Sequence, residues 1–413
     1  MLTRAGLPRA DAYKLYIFMS AVQAVALTTV FTINMVYQVQ QVSLNALQLV
    51  LVGTTLELTA FLMEIPTGVV ADVYSRRLSI VVGFCLLGIG FIVEGSLPLF
   101  EALLVAQVIM GLGYTFLSGA TSAWIVDEIG YERASGAFLR SSQVAQVASF
   151  LAIGLSVALA SYSLQLAIIT GGLILLVLAG LLALIMPEQG FKRQANGERE
   201  TWQTFRATLR GGMRLVRARQ ILMLIIIAMV IHGAFSEGFD RLSTAHILQN
   251  FELPPLGQFN EIVWFGIISA VSMPLTLGAT EYIHRRLDLS NGRLVALTLT
   301  VVYLVMIGSV LLFVLGESFA LILVGFWLTQ ATRGIRNPLM EAWINLYVES
   351  DVRATVLSIG GQADAFGQIA GGPVVGAIGL WRSVRVAIAC STLMLLPILL
   401  VFRRTLKPPP SPE

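Results

Sequence analysis

The chain has 413 residues, 56% hydrophobic and 12% charged, with a net charge of +3 and a mean hydropathy of +0.80. About one quarter of an average soluble protein is charged, so this composition cannot cover a water-exposed surface. It excludes a cytosolic enzyme, a disordered chain and a disulfide-built secreted scaffold, and leaves a polytopic membrane protein. Cys85 and Cys390 both lie in apolar runs and read as small core hydrophobes. The basic excess does not point to nucleic acid, because its placement follows membrane topology.

A bilayer core of roughly 30 Å needs about 20 helical residues at 1.5 Å each. Lipid leaves the backbone to satisfy itself, so long apolar runs must be helices. Twelve runs are read in chain order: 13–38, 45–71, 78–98, 100–126, 136–160, 164–186, 220–246, 258–284, 293–315, 319–347, 354–380 and 383–402. The first is long enough to remain as an anchor rather than a cleaved leader. Most connections are short. The exception, 187–219, is polar and carries Lys192, Arg193, Arg199, Arg206, Arg210, Arg214, Arg217 and Arg219. The expected organisation is therefore a six-helix bundle over 1–186, a basic linker over 187–219 and a second bundle over 220–413.

Orientation follows from Lys and Arg placement. With the N-terminus inside, all but five of the 27 basic residues fall in cytoplasmic segments. Arg241, Arg382 and Arg385 fall outside, and Arg333 and Arg336 fall within a span. Both termini and the linker are thus expected in the cytoplasm, the bilayer being the plasma membrane of a bacterium. The linker reads as a topology signal with an amphipathic surface helix; anionic lipid or a partner is the other reading.

The halves repeat. Ala123-Trp124-Ile125 is followed by Gln143, and Ala342-Trp343-Ile344 by Gln362, both 219 positions on. Asp72-Val73-Tyr74-Ser75-Arg76-Arg77-Leu78 is echoed by Glu281-Tyr282-Ile283-His284-Arg285-Arg286-Leu287, a shift of 209. Two matches in the same order favour a duplicated six-helix unit, a recurrent transporter plan. The fold expected is an all-α membrane protein with twelve transmembrane helices in two pseudo-symmetric bundles.

Gly68-Val69-Val70-Ala71-Asp72-Val73-Tyr74-Ser75-Arg76-Arg77 resembles the cytoplasmic loop signature of the major facilitator superfamily, Gly-x-x-x-Asp-x-x-Gly-Arg-Arg/Lys, in the expected place after span 2. With the twelve runs, the linker and the weaker second copy, the resemblance extends over essentially the whole chain. Three positions depart from it. Ser75 stands where the family usually has Gly. Gln107-Val108-Ile109-Met110-Gly111 stands where many proton-coupled members have Arg-x-x-x-Gly. Span 5 lacks the Gly-Pro motif of many exporters, and Gly372-Pro373-Val374-Val375-Gly376 appears instead in span 11. The resemblance implies that spans 1, 4, 7 and 10 line a central cavity. It also implies that Asp72, Arg76 and Arg77 lock the cytoplasmic side, the arginines meeting Asp127 or Glu128 and Asp72 facing the start of span 11 near Ala354.

An ionised group at mid-bilayer costs at least roughly 2.5–3.5 kcal/mol, so charges inside spans must be paired, wet or neutral. Arg333 and Arg336 are three apart on one face of span 10 and form a fixed positive patch. They read either as a site for anionic substrate groups or as salt-bridge partners of Glu57, Glu64 or Glu341. Glu57 and Glu64 share a face of span 2 and, with Asp364, could carry a proton; structural pairing is the other reading. Glu237 and Arg241 are four apart and can simply pair, leaving Glu237 and Asp240 as second-rank substrate contacts. His232 reads as a satisfied core histidine, and Tyr37, Trp124, Trp264, Trp327 and Trp343 as interfacial anchors.

These features point to a monomeric secondary transporter of a small organic molecule, coupled to H⁺ and needing no cofactor or metal. Efflux of amphipathic compounds leads, and uptake of an organic anion, supported by Arg333 and Arg336, is the alternative. An enzyme is not expected: His-Glu-x-x-His, Gly-x-Ser-x-Gly and a phosphate loop are all missing, and the lysines are Lys14, Lys192 and Lys407. A sensor would need an added soluble domain, and only the tail Pro408–Glu413 follows the last span.

Overall fold

The computed structural model describes residues 10–191, 210–214, 216–257, 259–348 and 353–405, and the side chains of all these except residues 354, 404 and 405. Arg4, Arg9, Lys192, Arg193, Arg199, Arg206, Lys407 and the tail lie outside the described residues, as does the side chain of Ala354. Everything long in the described chain is helical. Ten helices among the described residues are long and apolar enough to cross a membrane.

The chain divides into two compact units. The first comprises Met1–Ser43, Thr55–Gln203 and Leu256–Gly266, and the second comprises Leu44–Thr54, Thr204–Pro255 and Ile267–Glu413. The first unit holds α1 (Ala12–Phe31), most of α2 (Ala46–Val73), α3 (Arg76–Ser96), α4 (Phe100–Leu117), α5 (Ala120–Ile129), α6 (Tyr131–Tyr162) and α7 (Leu164–Ile185). The second holds α8 (Gln220–Asn250), most of α9 (Val263–Arg286), α10 (Gly292–Leu315), α11 (Phe319–Asn345), α12 (Arg353–Trp381), α13 (Val384–Leu393) and α14 (Leu396–Thr405).

Short polar residues set several helix starts. Asp11 accepts from the backbone N–H groups of Tyr13 and Lys14 at 2.9 and 3.2 Å, and Ser75, Asn291, Ser318 and Ser383 cap α3, α10, α11 and α13. Three expected spans are broken. The first passes from α1 through Asn34–Val36 into a π-helical turn at Tyr37–Gln41. The fourth breaks between α4 and α5 at Gly119, whose φ of 70° is one that side chains rarely adopt. The last breaks between α13 and α14.

Several boundaries move. The helix expected from 258 begins at Val263, and that expected to end at 246 runs to Asn250. Arg241, counted with the outer segments although the expected run reached 246, lies well inside α8. α11 and α12, with 27 and 29 residues, fall outside the ten apolar helices. Gln330, Arg333, Arg336 and Glu341 dilute α11, and glycines dilute α12.

Packing within each unit relies on backbone approach. A Cβ on Gly88 would lie 2.7 Å from the Gly172 carbonyl oxygen, and one on Gly172 equally close to that of Gly88, which fixes α3 against α7. Gly83 and Gly113 join α3 to α4 in the same reciprocal way at 2.9 Å. In the second unit a Cβ on Gly233 would strike the carbonyl oxygen of Asp364, and one on Gly367 that of Val230, so α8 and α12 nearly touch.

The aromatic residues correct one expectation. Tyr37, Trp124 and Trp343 are fully buried rather than interfacial. Trp124 donates to the Pro187 carbonyl at 2.8 Å, and the Tyr37 hydroxyl to that of Glu94 at 2.6 Å, so the polar ends of these two are met inside the protein, whereas Trp343 Nε1 has no hydrogen-bond partner among the described residues.

Candidate transport site

In the first unit, α1, α2, α4 and α5 surround an open cavity of about 400 Å³ lined by Gln23, Ala60, Glu64, Tyr114, Thr115 and Ser118 among others. Glu64 lies within the membrane-length helix α2 and accepts from Ser118 Oγ at 3.0 Å, across the break after α4. The lining mixes one carboxylate, an amide, several hydroxyls and an aromatic ring. Such a surface suits a molecule with both polar and apolar parts. Glu57 lies two turns earlier on α2, half-buried, and faces the same side by its spacing of seven.

The charged loop of the first unit is built as a connected set. Arg76 Nε lies 2.6 Å from Asp127 Oδ2, and Arg76 Nη2 lies 3.6 Å from Asp72. Arg77 Nη2 donates to the Ala183 carbonyl at 2.6 Å. Glu188, which the sequence reading passed over, accepts from the Ser75 hydroxyl at 2.7 and 2.9 Å and from the Arg77 N–H at 3.0 Å. Glu128 accepts instead from the N–H groups of Gln189 and Gly190 at 2.6 and 2.8 Å. Ser75 has φ −174°, extended backbone open to any residue, and its hydroxyl accepts from the Leu78 N–H. The departure from glycine there is a helix cap, and no left-handed turn is needed.

Four helices of the second unit bring their charges together. Asp240 on α8 accepts two hydrogen bonds from the Arg333 guanidinium on α11, at 2.5 and 2.7 Å. Arg333 also sits over the Phe239 ring at 5.8 Å. Arg336, one turn on, donates from Nε to the Tyr303 hydroxyl on α10 at 3.1 Å, and its Nη2 lies 3.7 Å from Asp364 on α12. Gln368 donates to the other Asp364 oxygen at 3.1 Å. Glu237 and Arg241 pair along α8 at 3.1 Å, with Glu237 buried. Each of the three guanidiniums thus lies beside a carboxylate of the same unit, and neither arginine of α11 pairs with Glu341 among the described residues. His232 is buried with its ring edge-on to Tyr303, centroids 5.8 Å apart, and its Nδ1 has no hydrogen-bond partner among the described residues.

A second buried polar set went unread in the sequence. Glu94, fully buried near the end of α3, accepts from Gln38 Nε2 at 2.8 Å and Gln107 Nε2 at 3.5 Å. Gln107, the residue in place of the family's arginine, thus faces an internal carboxyl. The only sequence signal was an acidic residue close to a span end, which ordinarily reads as interfacial.

Of the residues nominated from sequence, Asp240, Arg333, Arg336 and Asp364 converge in the second unit with Glu237 close by, whereas Glu64 lines the cavity of the first. Asp72, Arg76 and Asp127 form one cluster, and Arg77 turns to the end of α7.

This helical, charge-matched architecture is that of a membrane transporter. The family model of the Major Facilitator Superfamily matches residues 15–316, and the chain belongs to that superfamily. It is 22% identical over 371 residues to the uncharacterized MFS-type transporter YxaM of Bacillus subtilis (strain 168), covering 86% of each chain. Among solved structures it is similar to the nucleoside transporter NupG, with TM-score 0.76 and 16% identity over 97% of this chain and 100% of that one. It is also similar to the peptide transporter POT in complex with sulfate, with TM-score 0.73 and 12% identity over 96% of each chain. At these identities the structural likeness speaks to the fold alone.

Proposed function

We propose that the chain is a secondary transporter that moves a small organic molecule across the membrane by alternating access, exporting amphipathic compounds in exchange for protons. In this reading all twelve helical runs cross the bilayer as two bundles, 1–186 and 220–413, joined by the linker 187–219, and both termini face the cytoplasm of a bacterium. The protein works as a monomer. Glu57, Glu64, Glu237, Asp240, Arg333, Arg336 and Asp364 contact substrate or protons. Asp72, Arg76, Arg77 and Asp127 form the cytoplasmic gate, made in one state and broken in the other.

The observation that carries the choice of substrate is the pairing of both arginines of α11 with carboxylates of the second unit. Arg333 is held by both oxygens of Asp240, and Arg336 lies beside Asp364. An anionic substrate would have to displace a carboxylate already in place, which argues against organic-anion uptake. The cavity beside Glu64 offers instead a carboxylate among hydroxyl, aromatic and aliphatic groups, fit for a neutral or cationic amphipath. The same carboxyl, held by Ser118 at the cavity wall, is the group to which this reading assigns proton exchange.

The test is flux in proteoliposomes loaded with a panel of fluorescent amphipathic dyes. An imposed pH gradient should drive dye movement against its own gradient, and Glu64→Gln should abolish that drive while leaving exchange. Dye flux that ignores both pH gradient and membrane potential would assign a uniporter, and carboxylated dyes moving faster than neutral or cationic ones would restore the anion reading.

A further inference from the structure

At one end of the second unit, α8 begins, α11 ends and α12 begins. Across these ends lies the last stretch of the linker, whose residues 210–214 and 216–218 are helical. One face of the stretch is spent on the protein. Gly212 is buried and comes so close to Thr355 and Ile359 of α12 that a Cβ there would lie 2.6 Å from the Thr355 methyl. Val216, four residues on, is 1% exposed. Arg219 fastens the end of the stretch by donating to the Tyr347 carbonyl at 2.5 Å.

The opposite face carries Arg210, Arg214 and Arg217, all exposed. Their spacing of four and three puts them in one stripe along a helix. None of the three has an ion-pair partner among the described residues. An interfacial helix usually lays an apolar face into the acyl region. Here the apolar face is used up against α12, so what the stretch offers outward, at the level where α8 begins its crossing, is three guanidiniums. In the orientation proposed above, the start of α8 sits among lipid phosphates, and guanidinium forks match phosphate oxygens in pairs.

We propose that this arginine stripe is a binding surface for the headgroups of anionic glycerophospholipids in the leaflet bordering the linker. Lipid phosphates there neutralise the stripe and hold the linker's end against α12 while the rest of the unit moves. An anionic surface attracts each nearby basic side chain by an amount equal to about fivefold in binding, so three together give on the order of a hundredfold preference over a zwitterionic lipid. Salt should weaken it, because the charges are exposed.

The test is native mass spectrometry of the full chain in neutral detergent with equimolar phosphatidylglycerol and phosphatidylcholine. The wild type should retain phosphatidylglycerol in large excess. R210Q/R214Q/R217Q should bring the two lipids near parity, R210K/R214K/R217K should keep most of the preference, and R403Q should leave it intact. Thermal unfolding in pure phosphatidylcholine checks that the variants fold; if the triple variant does not, R214Q alone should lower the preference about fivefold. An unchanged preference in the folded glutamine variants overturns the proposal. So does a stripe that ignores phosphatidylglycerol but is saturated by polyglutamate, which would assign the face to an acidic protein partner. The readout is lipid retention, so it stands apart from transport direction and substrate.

Discussion

Arg333 spends two hydrogen bonds on one carboxylate. Removing either partner leaves the other charge without its match. Arg333→Gln and Asp240→Asn should each impair transport well beyond any loss of folded protein, and the double variant should recover stability relative to the sum of the singles. Because Asp240 is 45% exposed, the coupling is expected at about 1 kcal/mol, below that of a fully buried pair. A double-mutant cycle on thermal unfolding in detergent measures it. Ser75 offers a second check. Ser75→Ala deletes the α3 cap and the hydroxyl that binds Glu188, and should cost about 1 kcal/mol; Ser75→Gly should cost less, since glycine is itself an acceptable cap. The sequence placed Arg333, Arg336 and Asp364 within long helices, as observed, but left their partners open. Asp240 and Arg333 are 93 positions apart, and no local spacing announces such a pair. The Glu237–Arg241 pair was legible because four residues make about one helical turn.

Helices were the most legible elements, because an apolar run of some 20 residues can satisfy its own backbone in lipid only as a helix. Their interruptions were less so. The break after α4 needs a positive φ at Gly119, and that glycine looks no different in sequence from Gly111 or Gly113, which serve packing. Contacts such as Gly88 with Gly172 and Gly233 with Asp364 also escaped reading, since a small residue in an apolar run shows no partner. They make a sharp prediction. Gly88→Ala or Gly172→Ala must force α3 from α7 and should cost about 1–3 kcal/mol, read as a lowered unfolding temperature. Gly180→Ala, where a Cβ meets nothing within 4 Å, should leave the melting temperature unchanged or raise it slightly.

For the whole molecule, the motif after α2 and the family match agree, and the charged loop gains an anchor in Glu188 that the motif alone did not contain. If Asp72 and Arg76 act as a gate, Asp72→Asn should slow turnover severalfold with substrate affinity nearly unchanged, as a full progress-curve comparison in proteoliposomes shows; an unaltered turnover number removes Asp72 from the gate. Substrate chemistry was the least legible feature, because it depends on which charges are already matched inside the fold.

Access to the cavity beside Glu64 tests alternating access most directly. Gln23→Cys, in a background lacking Cys85 and Cys390, places a thiol on the cavity wall. A membrane-impermeant maleimide should label it from either side of sealed vesicles, with labelling from one side rising as labelling from the other falls when the pH gradient is reversed. Labelling from a single side under every gradient would contradict a site opened to each side in turn.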